Sequence, residues 1–314
     1  MRHPRQDVSA TVRRVPGVAE GLGAALERLY RSYDRVDSAT DPIQVVRRFA
    51  APADREVVGF VASALAFGRV ASVMQSIERV LEVLGPSPAA FVQGFRPARD
   101  GVALARVVHR WTRGPDLVAL LLVLRGILTR SGSIEAFFGE GDSPSSPDVG
   151  PGLESFSRRA LEVDLAPAYG RVPPRPGVCY FFPRPSSGSA CKRLNLFLRW
   201  MVRRDGIDLG VWRSPAPSRL IVPLDVHLVR MGRCLGLTRY RSPGWRMAAE
   251  ITAALRRIDP DDPVRFDFAL CHLSMTGGCG LNRPSGDSHC PLRGFCSPGP
   301  ARTRRPFRTP SDRR

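Results

Sequence analysis

Lysine is almost missing from this chain: of 47 lysine and arginine residues in 314, only Lys192 is a lysine and every other cation is an arginine. Long apolar runs are missing too. The longest, LVALLLVL at 117–124, is far too short to span a bilayer, and the amino-terminal MRHPRQDVSATVRRVP lacks the apolar centre of a signal peptide. These absences argue against a membrane protein and a secretory leader, and they lead to the expectation of a cytoplasmic location. Neither βαβ alternation nor an internal repeat is visible, which leaves an all-α class as the expectation.

What is present is arginine, in excess. The formal net charge is +18 with a pI near 11.0, well beyond what solubility needs, so an anionic partner is implied. Nucleic acid fits better than an acidic membrane face, because no basic amphipathic helix with a bulky aromatic insertion side stands out. Part of the charge lies in segments that read as disordered arms, residues 1–16 and 297–314, which would strengthen binding to any polyanion without choosing a site. Between them, a chain that is 43% hydrophobic and 24% charged can bury a substantial core as one large domain or two lobes.

Helical periodicity dominates that core. From Asp54 the sequence is apolar nearly all round, as in a buried helix. After Gly68, Val70, Val73, Met74, Ile77, Leu81 and Leu84 carry the spacing of an amphipathic helix that stops before Gly85-Pro86. A further helix is expected over Pro115–Arg130. GEGDSPSSPDVGPG, at 139–152, reads as a flexible loop, and the Pro-rich 171–185 as an irregular approach to a helix containing Lys192.

On that helix Leu194, Phe197, Leu198 and Met201 form one apolar stripe, while Lys192, Asn195, Arg199 and Arg203 fall on the other side. Such a face is either an ordinary solvated basic surface or a surface for phosphates. An arginine-biased chain can also leave one lysine by chance. The amine nevertheless offers what a guanidinium cannot: it can lose its proton, attack carbon and form a Schiff base. Downstream, IVPLDVHLVRMGRCLGL places Asp225 as the N-cap of a helix ending at Gly236, at the edge of an apolar lead-in. A helix over Trp245–Ile258 follows. Asp262 and Pro263 then read as the cap and first residue of another helix, which stops at Gly277-Gly278. His227, His109 and His272 read as structural.

PLDVHLVRMGRCLGL resembles the P-V-D-T-H-x-x-R-x-x-x-R-L-G-L segment of the helix-hairpin-helix DNA glycosylase superfamily, which includes endonuclease III. From about Leu29 to Cys296 the chain also resembles a bacterial family known as a domain of unknown function, through YDRVDSATDPI, GSACKRLNLFLRWMVR and PLDVH. The superfamily resemblance implies a single domain over 17–296 built as two helical lobes with a cleft between them. It implies a monomer acting on duplex DNA that carries a damaged base, with oxidised bases foremost. Lys192 would be the nucleophile and Asp225 the assisting carboxylate, with the base flipped out and Arg193, Arg199, Arg203 and Arg230 on the nucleic acid. The hairpin differs from the superfamily's L-P-G-V-G-x-K-T-A: Lys192 stands four residues after Gly188 in PSSGSACK, and the second glycine is absent. Lys192 and Asp225 are also further apart than in endonuclease III, as in the archaeal 8-oxoguanine glycosylases.

Four of the seven cysteines fall in the segment 271–296, a density that in a cytosolic protein suggests metal rather than disulfides. The endonuclease III iron-sulfur loop reads C-x6-C-x2-C-x5-C. Cys290 and Cys296 have its last spacing, Cys279 stands one residue too far upstream, and Asp287 occupies the place of the second cysteine. Either no metal is bound, or His289 or Cys271 completes the set. Because adjacent ligands at 289 and 290 would be strained, Cys271, Cys279, Cys290 and Cys296 form the expected set, for zinc or a four-iron cluster. Three functions remain in play: a DNA glycosylase with AP-lyase activity, a non-catalytic nucleic-acid-binding protein of the same fold, and an iron-sulfur protein of another role.

Overall fold

The computed structural model describes residues 16–35, 41–279 and 290–296, and among them the only regular structure is helical. The α-helices are α1 (Pro16–Tyr33), α2 (Ile43–Val46), α3 (Pro52–Ala64), α4 (Val70–Leu84), α5 (Pro88–Gln93), α6 (Pro97–Leu104), α7 (Gly114–Ser131), α8 (Ile134–Gly139), α9 (Gly150–Ala160), α10 (Ala166–Tyr169), α11 (Lys192–Val202), α12 (Val226–Cys234), α13 (Trp245–Arg256) and α14 (Asp267–Met275). The expectations for 1–16 and 297–314 lie outside the described residues, apart from Pro16, which opens α1.

Apolar periodicity explains α3, α4 and α7; the limits of α4 and α7 lie within two residues of those expected, and α3 begins two residues before Asp54. LVALLLVL is the middle of α7 and every one of its residues is buried. No helix among the described residues is long and apolar enough to cross a membrane. One continuous cluster of buried apolar side chains extends from Leu22 to Leu292 and joins the first and last described segments.

At the centre, α3 crosses α11. Gly59 makes the crossing close: a Cβ there would stand 2.8 Å from Met201 Cε and 3.4 Å from Phe197 Cε2. The stripe Leu194, Phe197, Leu198 and Met201 is buried as its spacing requires, but the opposite side of α11 is buried too. Arg199 and Arg203 are each 3% exposed. Arg199 pairs with Asp208 at 3.2 Å and with both oxygens of Asp267 at 2.9 Å; Arg203 pairs with Asp205 at 2.7 Å, with Asp262 at 2.8 Å and with Asp208. A buried guanidinium is tolerated only with such partners. The basic face expected for phosphates is therefore an internal ion network, and Asp262, expected to cap a helix, serves Arg203 while α14 starts at Asp267.

The stretch 139–152 also departs from its expected flexibility. Its last residues open α9, and Arg219 grips the rest, donating to both Asp142 oxygens at 2.7 and 2.8 Å and to the Ser146 carbonyl at 2.9 Å. Ahead of Lys192 lie two short 3-10 turns, Gly177–Phe181 and Pro185–Ser187, in the stretch expected to be irregular.

Candidate functional site

Lys192 is the first residue of α11, and the residue before it, Cys191, holds the left-handed conformation with φ of 48°. A non-glycine residue there stores backbone strain that the surrounding packing must hold in place. Cys191 is 1% exposed and burial pushes its thiol up to about 12, so it is a packed residue and no competing nucleophile. The half-buried Lys192 side chain reaches the turn after α3, where Nζ donates to the Ala66 carbonyl at 3.0 Å.

Asp225 is the N-cap of α12, as its sequence position indicated. Oδ1 accepts the Leu228 amide at 2.7 Å and the Cys271 thiol at 3.3 Å; among the described residues Oδ2 accepts no hydrogen bond. Beside it, His227 Nδ1 meets Ser274 Oγ at 3.1 Å and ties α12 to α14.

Lys192 and Asp225 line one cavity of about 630 Å³. Phe67, Val70 and Val73 form one wall, Leu196, Leu224 and Met275 the others, and Arg199 and Asp267 also reach it. Its volume lies within the range of ligand pockets, roughly 300–1,000 Å³. One Arg199 nitrogen, Nη2, is buried without a hydrogen-bond partner among the described residues, on a side chain that lines the cavity. A second, smaller cavity of about 330 Å³ shares Phe67 and Lys192 with the first. A larger open hollow of about 760 Å³ lies elsewhere, lined by Arg79, Glu82, Arg99 and Asp100, and gathers no comparable set of nucleophile and carboxylate.

Aromatic side chains stand around Phe67. Trp111 stacks on it at 4.7 Å between centroids with a 22° interplanar angle, and Tyr180 meets Trp111 edge-on at 5.1 Å. Trp111 is 53% and Tyr180 44% exposed. The Arg193 guanidinium lies 3.8 Å from the Tyr180 ring centroid and donates to the Tyr180 and Ala64 carbonyls. Burial lowers it to about 10.

Of the four arginines expected on nucleic acid, Arg193, Arg199 and Arg203 are thus buried and engaged within the protein, and Arg230 is half-buried on α12. Their sequence pattern could not reveal this, because the oxygens that hold them come from elsewhere in the chain. Sequence reasoning also missed Phe67, Trp111 and Tyr180, whose spacing carries no pattern; the only signal available was that Trp111 and Tyr180 sit in polar, Arg- and Pro-rich surroundings.

Of the four cysteines expected to hold a metal, Cys279 and Cys290 are buried and Cys271 and Cys296 are half-buried. Cys271 faces Asp225, and its proton is held tightly by burial and by the nearby Asp225 and Asp267 carboxylates. No group of three or more histidine, cysteine or acidic side chains among the described residues stands ready to hold a metal ion. His289 lies outside the described residues.

No curated protein and no solved structure matches the chain. A family described as a protein of unknown function, DUF2400, matches residues 41–276, which takes in both Lys192 and Asp225. With three quarters of its length so matched, the chain belongs to the DUF2400 family.

Proposed function

We propose that this protein is a DNA glycosylase with AP-lyase activity, in which Lys192 is the nucleophile and Asp225 the assisting carboxylate. The observation that carries the reading is the convergence of the chain's one lysine and the capping aspartate on the same cavity, between apolar walls suited to a nucleobase. The positive charge of the chain supplies the attraction to DNA.

The chemistry follows from the groups present. The Lys192 amine gives its lone pair to the anomeric carbon of a flipped nucleotide, and the glycosidic C–N bond breaks with its electron pair leaving on the base, which takes up a proton. Asp225, through Oδ2, receives the amine's proton as the new C–N bond forms and stabilises positive charge on the sugar. Ring opening gives an imine that permits β-elimination at the 3′ phosphate. Release of the amine from the Ala66 carbonyl accompanies attack. The exposed rings of Trp111 and Tyr180 offer stacking faces for unpaired bases beside the cavity.

The test is borohydride trapping on duplexes carrying an abasic site or 8-oxoguanine. An adduct formed by the native protein and absent from Lys192→Arg is expected, because a guanidinium forms no Schiff base. Salt-sensitive DNA binding with no adduct on any substrate would instead favour a non-catalytic binding protein, with Lys192 serving to tie α11 to the turn after α3.

A further inference from the structure

A base that leaves with the glycosidic electron pair must gain a proton, and neither Lys192, which attacks, nor Asp225, which receives the amine's proton, can give it. The first turn of α12 holds a third group. Asp225 and His227 stand two residues apart there, and α14 fastens both: Cys271 Sγ donates to Asp225 Oδ1 at 3.3 Å, and Ser274 Oγ lies 3.1 Å from His227 Nδ1. Cys271 and Ser274 are three residues apart on α14 and so fall on one face of that helix. These bonds leave one oxygen and one nitrogen open, Asp225 Oδ2 and His227 Nε2, neither of which has a hydrogen-bond partner among the described residues. Both side chains line the cavity with Lys192. Val226, between them, also lines it and is 76% exposed, which sets this turn at the cavity's open edge.

We propose that His227 is the proton donor to the departing base, a catalytic residue distinct from the nucleophile and the assisting carboxylate; the assignment rests on the glycosylase reading of the site. Ser274 selects the reacting nitrogen. With its oxygen accepting from Nδ1–H whether the ring is charged or neutral, Nε2 is the nitrogen that gains and loses the proton. Imidazole exchanges protons near neutral pH, which suits it to general acid catalysis. As the glycosidic C–N bond gives its electron pair to the base, the Nε2–H bond breaks and its proton passes to the base, which leaves neutral; the ring then regains a proton from solvent. The Lys192 proton goes separately to Asp225 Oδ2, so the acid and base roles stay on different groups. His272 lines the same cavity but is 8% exposed, with Nδ1 donating to the Phe268 carbonyl at 2.9 Å and its ring centroid 3.8 Å from that of Phe268; it is a packed residue.

The test separates loss of a base from reaction at a site that has none. A preformed abasic site gives the Schiff base with no base departing, so a proton donor to the base has no part there. His227→Asn keeps a nitrogen near the place of Nδ1, to bond Ser274, and has nothing in the place of Nε2. With the full chain on duplexes carrying 8-oxoguanine, thymine glycol or uracil, single-turnover base release by His227→Asn should fall by about 10²-fold or more. Borohydride trapping of the same variant on abasic duplex should stay at the native level, which also reports that it is folded. Ser274→Ala, which frees the ring but leaves Nε2 in place, should lose less, and His272→Asn should release base as the native protein does. Equal loss by His227→Asn in both assays would make His227 structural, native base release by that variant would remove it from the chemistry, and a selective loss of base release in His272→Asn alone would give the role to His272; each overturns the proposal and leaves the glycosylase reading standing. No release of any of these bases by the native protein would sink that reading and the role of His227 together.

Discussion

Asp225 holds two jobs that a substitution can separate. As an N-cap it satisfies the Leu228 amide through Oδ1; as a proton acceptor it would work through Oδ2. Asn caps a helix as well as Asp, so Asp225→Asn is expected to keep stability within about 0.5 kcal/mol, while Asp225→Ala loses about 1 kcal/mol. Both should lower the single-turnover rate of base release by roughly 10²–10⁴-fold. Denaturation midpoints and rates measured together check this, and full activity in Asp225→Asn would reduce the aspartate to a cap. Trp111 admits a similar separation. It is 53% exposed, so Trp111→Ala should unfold at nearly the native temperature yet bind abasic duplex less tightly by about 1–3 kcal/mol, if each unpaired base stacks as on other aromatic platforms. A fluorescence titration decides it, and unchanged affinity would remove the aromatic cluster from the DNA-binding surface.

At the scale of elements, α11 carries the lesson. Its helical character and its apolar stripe are legible from Leu194, Phe197, Leu198 and Met201, because periodicity records which side chains avoid water. The meaning of the other face is not legible, because Arg199 and Arg203 look the same in sequence whether solvent, phosphate or protein carboxylates await them. Here the carboxylates are Asp205, Asp208, Asp262 and Asp267, gathered from the loop after α11 and from the approach to α14. Arg203→Met should therefore cost about 3–5 kcal/mol by leaving buried carboxylates uncompensated, measured by chemical denaturation. A loss under 1 kcal/mol would mean that the network is not held together by Arg203. A similar limit applied to α14: Asp262-Pro263 is a good helix start by type, but Asp262 accepts from Arg203 and the helix starts at Asp267.

For the whole molecule, charge and core act separately. The net charge of +18 includes a dense arginine tail over 301–314, and removing that tail should reduce the slope of log affinity against log salt by about 0.9 for each duplex phosphate that the tail had neutralised. The trapped adduct should survive the deletion, since Lys192 and Asp225 line a cavity built by α11, α12 and α14; if the adduct vanished at saturating DNA, the tail would be part of the site. That core was anticipated from composition and helical periodicity alone, as were its helical class, the helix α7 and the capping position of Asp225. Local physics suffices for these: apolar spacing, Gly and Pro as breakers, and a short carboxylate before an apolar run. Tertiary structure alone decided which distant residues meet. It brought Lys192 and Asp225 to one cavity, placed Cys271 against the aspartate, and turned a basic face into an internal ion network. Those outcomes depend on packing between segments far apart in the chain, for which a single sequence holds the residue types but no record of their distances.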